Sequence, residues 1–207
     1  MTPWKFIKHY ALEIYTVIAM ILLTVPAFMG ELSAIQKFMV IYSVLFVLHE
    51  WEEGMYPGGF VNMIASLVQI EVSDEIKRAS RIPAGILLLL ITVVPFVFDS
   101  TILFAVAVAT FGIIEGVVHV VGIRLFQCKT PYTPGMVTAI LEATESVVLI
   151  AYLACNHLGA WYDYVFGPLL MIVCFGMLQK TMTLLVGIRY SDMPKYVKAQ
   201  WKRGNRA

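Results

Sequence analysis

Residues Ile102 to Ile123 read ILFAVAVATFGIIEGVVHVVGI, and only Glu115 and His119 among them are ionisable. Wound as an α-helix at 1.5 Å per residue, the run spans about 33 Å, close to the thickness of a bilayer's hydrocarbon core. A helix on a soluble protein keeps one polar face for water, and this one has none. The stretch therefore predicts a membrane-spanning helix. The 207 residues as a whole are 59% hydrophobic and 14% charged, with a mean hydropathy of +0.79. Soluble domains carry about 25% charged residues, so the bilayer is this chain's solvent.

Working outward, further apolar runs predict spans at about Ala11 to Met29, Ala34 to Met55, Ile82 to Phe98, Pro134 to Cys155 and Tyr164 to Ile188. The expectation is an all-α polytopic bundle of six transmembrane helices, one domain over residues 1–207. The second span is interrupted: its apolar part stops at Leu48, continues as His49-Glu50-Trp51-Glu52-Glu53, and breaks at Pro57-Gly58-Gly59, which cannot extend a helix. Beyond the break, Phe60, Met63, Ile64 and Leu67 recur at helical spacing among Asn62, Ser66 and Gln69, predicting a short interfacial helix. The first apolar run is longer than the roughly 7 to 15 residues of a signal core and no small-x-small site follows, so it reads as an anchor. Cys128, Cys155 and Cys174 show no disulfide or metal spacing. The chain carries no repeat, phosphate loop or nucleic-acid motif, and no nucleic acid is expected among its partners.

Lysine and arginine set the orientation. Lys5 and Lys8 precede the first span, Lys77, Arg78 and Arg81 the third; Arg124 and Lys129 follow the fourth, and Arg189, Lys195, Lys198, Lys202, Arg203 and Arg206 the sixth. The intervening loops carry Glu31 with a single Lys37, then Asp99, then Asp163. Both termini are expected in the cytoplasm, with a basic tail over about 189–207 retained there or resting on anionic lipid headgroups.

Three clusters break the apolar pattern. His49, Glu52 and Glu53 share one helical face while Glu50 falls elsewhere; Glu115 and His119 lie one turn apart, as do Glu142 and Glu145. Counted from the predicted cytoplasmic ends, all three lie at depths of roughly 6 to 16 Å, and Lys180 has about the same depth. Five ionised glutamates there would cost on the order of 10 kcal/mol. Lys180 alone cannot neutralise them, whereas two divalent cations would balance four carboxylates and engage two neutral histidines. That inventory matches dinuclear carboxylate centres, with His49, Glu53, Glu115, His119, Glu142 and Glu145 as ligands to two iron or manganese ions. Lys180 is read as a site residue, a counterion or a contact to a substrate carboxylate.

His49-Glu50-Trp51-Glu52-Glu53 resembles the signature of the HXXEE-domain family of bacterial membrane proteins. The family's asparagine-alanine-x-x-histidine motif aligns with Glu115-Gly116-Val117-Val118-His119, where glutamate and glycine replace the first two residues. The Tyr132-Thr133-Pro134-Gly135 stretch and the Thr138-Ala139 pair follow. The resemblance implies a membrane enzyme of the bacterial inner membrane and supplies no reaction.

Three functions are compatible with these residues. A dinuclear iron or manganese enzyme would oxidise a lipid or other hydrophobic small molecule reached from the cytoplasmic leaflet, and would need an electron donor. A zinc hydrolase would use His49, Glu53 and His119 as ligands and Glu52 as the catalytic residue that activates water, by analogy with the inverted zinc motif. A proton or divalent-cation transporter would use the same acids as a pathway, but the outer halves of the spans offer few acids to continue it.

Overall fold

The computed structural model describes residues 2–204, and within them the fold is entirely helical. A short α1 (Pro3–His9) leads into α2 (Ala11–Met29), α3 (Ala34–Gly54), a second short helix α4 (Phe60–Ser66), α5 (Asp74–Val97), α6 (Ile102–Leu125), α7 (Met136–Cys155) and α8 (Asp163–Leu185). A 3₁₀ turn at Tyr190–Asp192 then opens α9 (Met193–Gly204). Arg206 of the expected tail lies outside the described residues.

Local chemistry sets the helix starts. Ser33 and Gln36 form a reciprocal capping box at α3: the Ser33 hydroxyl accepts from the Gln36 N–H at 3.1 Å, and the Gln36 side chain accepts from the Ser33 N–H at 3.0 Å. Ser73 caps α5 by accepting from the Ile76 N–H, with Asp74 and Glu75 in the first turn, where the helix dipole favours negative charge. That cap starts α5 eight residues before the apolar run at Ile82, because a span's helix continues past its apolar part. The short helix expected after Pro57 is present as α4.

Five helices, α2, α5, α6, α7 and α8, are long and apolar enough to cross a membrane. The sixth expected span, α3, has 21 residues, but its polar end keeps it outside that set. Lipid-facing surface is plain on α2, where Val17, Ile21, Leu22, Val25 and Phe28 are exposed. The apolar core, including Met39, Phe46, Leu88, Val106, Phe111, Leu149 and Leu153, lies between α3, α5, α6, α7 and α8.

The contact that positions the site is between α6 and α7. Gly112 and Gly116 form a small-residue stripe: a Cβ on Gly116 would lie 2.7 Å from the Ala143 Cβ, and one on Gly112 would lie 2.4 Å from the Ser146 Oγ. Such stripes let backbones approach in a membrane, where van der Waals packing replaces the hydrophobic drive. At the last turn of α6, α9 docks through the Arg124 guanidinium, 5.2 Å from the Trp201 ring centroid. The basic tail is thus a helix with an aromatic anchor on the bundle.

Candidate metal centre

The last turns of α3 and α6 and the first turns of α7 meet at one end of the bundle. His49 and Glu53 come from α3, Glu115 and His119 from α6, each pair one turn apart and therefore side by side. His49, His119 and Glu115 are only 2%, 1% and 7% exposed. The His119 Nε2 lies 3.1 Å from a Glu53 oxygen and 3.7 Å from a Glu115 oxygen; the His49 Nε2 lies 3.5 Å and 3.9 Å from the same two carboxylates. One ligand atom from each of the four falls within 4.8 Å of all the others. A cation bonded at about 2.1 Å needs ligand atoms about 3 to 3.5 Å apart, so the four side chains would draw together slightly around one.

The tautomers decide what the imidazoles offer. His49 Nδ1 lies 3.0 Å from the Gly135 carbonyl, which can only accept, so Nδ1 carries the proton. The Thr133 hydroxyl donates to the His119 carbonyl, so its oxygen accepts from His119 Nδ1 at 3.0 Å. With Nδ1 held by an acceptor, each imidazole turns its Nε2 toward two carboxylates, and His119 Nε2 has no hydrogen-bond partner. Lone pair facing carboxylate at 3.1 Å is repulsive unless a cation or a second proton sits between them. Histidine ligands to metals are usually held in this way, by an acceptor at the other ring nitrogen.

The segment from Tyr132 to Thr138 supplies those acceptors. Gly135 adopts φ +92°, the left-handed region, and a Cβ there would lie 2.6 Å from Glu53 Cγ, 2.8 Å from His119 Cε1 and 2.9 Å from His49 Cε1. Phe60 of α4 covers the His119 ring at 5.1 Å between centroids. The Thr-Pro-Gly turn was visible in the sequence; its role as the acceptor for both histidines was not, because hydroxyl and carbonyl acceptors leave no ionisable signature.

Glu52 sits differently from the ligands. Its carboxylate accepts from the Val137 N–H at 3.3 Å, the Thr138 N–H at 2.9 Å, the Thr138 hydroxyl at 2.5 Å and the Tyr132 hydroxyl at 2.8 Å. The first turn of α7 has no cap of its own, so Glu52 caps it from α3 and meets its dipole. Burial, with the hydrogen bond to Glu52, pushes the Tyr132 phenol up to about 12, which keeps it a donor. Thr138 also touches His49 Nδ1, at 3.1 Å, so Glu52 acts on His49 through Thr138 rather than from within the cluster. Glu52→Gln, which trades an acceptor for a donor against these N–H groups, is expected to lower stability by about 1 to 3 kcal/mol while metal content is retained. Thermal unfolding in detergent with parallel metal analysis checks both halves.

The remaining sequence candidates separate. Glu142 is fully buried on α7 and interacts electrostatically with His49, Glu115, Glu50 and Glu53, yet stands outside the four-ligand group. Neither its carboxylate oxygens nor those of Glu145 have a hydrogen-bond partner. Glu50, placed apart by helical periodicity, interacts with Glu53, His49, Glu115 and Arg81, because a neighbouring position on a crowded helix end stays within electrostatic range. Lys180 is exposed on α8 and makes no ion pair with the four ligands.

A helical protein of membrane-spanning composition, with a buried pair of histidines and a pair of glutamates that could hold a metal ion, is the class these observations define. The chain belongs to the family described as "protein of unknown function with HXXEE motif", whose match over residues 40–152 takes in every glutamate and histidine of this centre. No curated protein and no solved structure matches the chain.

Proposed function

We propose that this protein is a membrane-embedded metalloenzyme with a dinuclear iron or manganese centre, acting oxidatively on a lipid or other hydrophobic molecule from the cytoplasmic leaflet. The observation that carries the reading is the convergence of two histidine Nε2 atoms, each with its Nδ1 held by an acceptor, on two carboxylates, all four ligand atoms within 4.8 Å of one another. His49, Glu53, Glu115 and His119 hold one ion. Glu142, with Glu145 one turn further on, provides carboxylates toward a second; their unpartnered oxygens are the reason to place one there. Two such ions would supply the redox capacity for oxidation, with an external electron donor.

The chain's own residues do the rest. Thr133 and Gly135 hold the imidazoles, Glu52 holds α7, and Phe60 shields the His119 side from water. In this reading α3 is the sixth span, since Ile41, Val44 and Leu48 expose an apolar stripe beside its polar end, and both termini are cytoplasmic. An open groove of about 550 Å³ bounded by Leu48, Trp51, Glu52, Tyr56, Tyr132 and Val137 runs beside Thr138, which touches His49, and gives a hydrophobic substrate an approach to that side of the centre. A single zinc in the four-ligand group is the second reading, favoured by the self-contained His and Glu set. With Glu52 engaged at α7, a hydrolase would draw its base from another acid, and Glu142, unpartnered and within electrostatic range of His49 and Glu115, is the candidate.

Plasma mass spectrometry of the purified protein and of Glu142→Ala tests the proposal. The expected result is about two iron or manganese per chain in the wild type, falling to about one in the variant. About one zinc in both would favour hydrolysis, and no bound metal would overturn the metalloenzyme and return the acids to a transport role.

A further inference from the structure

One turn further along α3 from Phe46, at the level where Gly112 faces α7, lies a second group of buried polar atoms. The hydroxyls of Tyr42, Ser43 and Ser146 are on residues of 0% exposure and have no hydrogen-bond partner, and both oxygens of the fully buried Glu142 share that condition. Buried tyrosine hydroxyls ordinarily find an acceptor, so a phenol among carboxylates with none is unusual. The serines are unusual too. Thr92, Thr110, Thr144 and Thr181 all donate to the carbonyl four residues back, the normal outlet for a hydroxyl inside a helix. Ser43 and Ser146 do not.

These groups converge. A Cβ on Gly112 would lie 2.4 Å from the Ser146 Oγ, 3.0 Å from the Glu142 carbonyl oxygen and 3.0 Å from the Tyr42 Cε2, so α3, α6 and α7 press together around one point. The Glu142, Glu115 and Glu145 carboxylates lie within electrostatic range of Tyr42. Its ring stacks on Phe46, which in turn stacks on His49, so one face of α3 runs from Tyr42 to the four-ligand group. A buried phenol, a carboxylate and hydroxyls with unused lone pairs, carried by helices that press together at Gly112, are the donor set of a hard or intermediate cation.

We infer that the Tyr42 phenol oxygen is a ligand, with the Glu142 carboxylate, of the second metal ion. The inference rests on the metalloenzyme reading and adds a residue to it. On binding, the phenol oxygen forms the bond to the ion and its proton is released to solvent, so no oxidant or reductant is needed. An iron(III) ion bound to phenolate has a ligand-to-metal charge-transfer band in the visible, which carboxylate and imidazole ligands do not produce.

The experiment loads the full chain in detergent with Fe(II) without air, removes unbound iron, and admits oxygen, which takes one electron from each Fe(II). Absorption spectra and iron content are then compared for the wild type, Tyr42→Phe and Tyr132→Phe. The expected result is a visible band in the wild type and in Tyr132→Phe that is lost in Tyr42→Phe, while Tyr42→Phe still binds iron in the four-ligand group and elutes as the same folded species. Iron bound without the band, or a band kept in Tyr42→Phe, overturns the role of Tyr42 and leaves the metal centre standing. Failure of the wild type to bind iron, manganese or zinc overturns the metal reading itself and this inference with it.

Discussion

His119→Ala is expected to remove the four-ligand group's share of this protein's stabilisation by metal. A ligand that binds only the folded state contributes RT ln(1 + [L]/Kd), about 4 kcal/mol at a thousandfold excess over Kd. For a chain of this size that amounts to a rise in melting temperature on the order of 10 °C. Chelation should therefore lower the wild-type melting temperature by about that much, and addition of iron or manganese should restore it. In His119→Ala both shifts should shrink to what an ion at Glu142 supplies. The reason is local: His119 is the group closest to Glu53, at 3.1 Å, and without it Glu53 and Glu115 retain only His49 between them. Differential scanning fluorimetry in detergent reads the shift, and circular dichroism confirms that helix content is kept. A chelator shift of wild-type size in the variant would show that the ion binds elsewhere.

Gly135→Ala is expected to do comparable damage without removing any ligand atom. Its left-handed φ of +92° costs a side chain about 1 to 2 kcal/mol. The new methyl would then press on Glu53, His119 and His49 at once, with nothing flexible on the side of the two rings. Overpacking of this kind adds about 1 to 3 kcal/mol and is relieved only by spreading the ligands. The expected outcome is loss of bound metal and a lower melting temperature together. Gly59→Ala separates the two causes: Gly59 has φ +102°, but its nearest neighbour to a new Cβ is Pro134 Cγ at 3.9 Å. That variant should show the backbone strain alone and keep its metal. Equal metal loss in both variants would mean that strain, and not crowding of the centre, is responsible.

Much of this centre was legible as chemistry before it was legible as geometry. Ionised side chains in apolar helices are costly enough that each has to be compensated, so His49, Glu53, Glu115, His119, Glu142 and Glu145 stood out by residue type alone. Helical spacing then paired them correctly within α3, α6 and α7. Spacing misled at Glu52 and Glu50. Glu52 shares a face with His49 and Glu53, yet the uncapped first turn of α7 attracts its carboxylate more directly than the cluster does. Glu50 points off that face but stays within electrostatic range. Lys180 shared only a depth with the acids, and depth along a helix does not say which way its face turns.

The sequence by itself determined that this is an all-helical chain of membrane-spanning composition, where its apolar helices begin and end to within a few residues except at the start of α5, and which side chains stand out as chemistry. Those properties follow from local physics: apolar run length against bilayer thickness, caps and breaks, and the cost of charge in hydrocarbon. Only the tertiary structure decided which acids share a centre, that the Thr133 to Gly135 turn fixes both histidine tautomers, and that Tyr42, Ser43 and Ser146 are left without partners beside Glu142. The physical reason is that these are contacts between helices far apart in the chain. They are set by the close approach of α6 and α7 at Gly112 and Gly116, which a one-dimensional pattern of residue types does not contain.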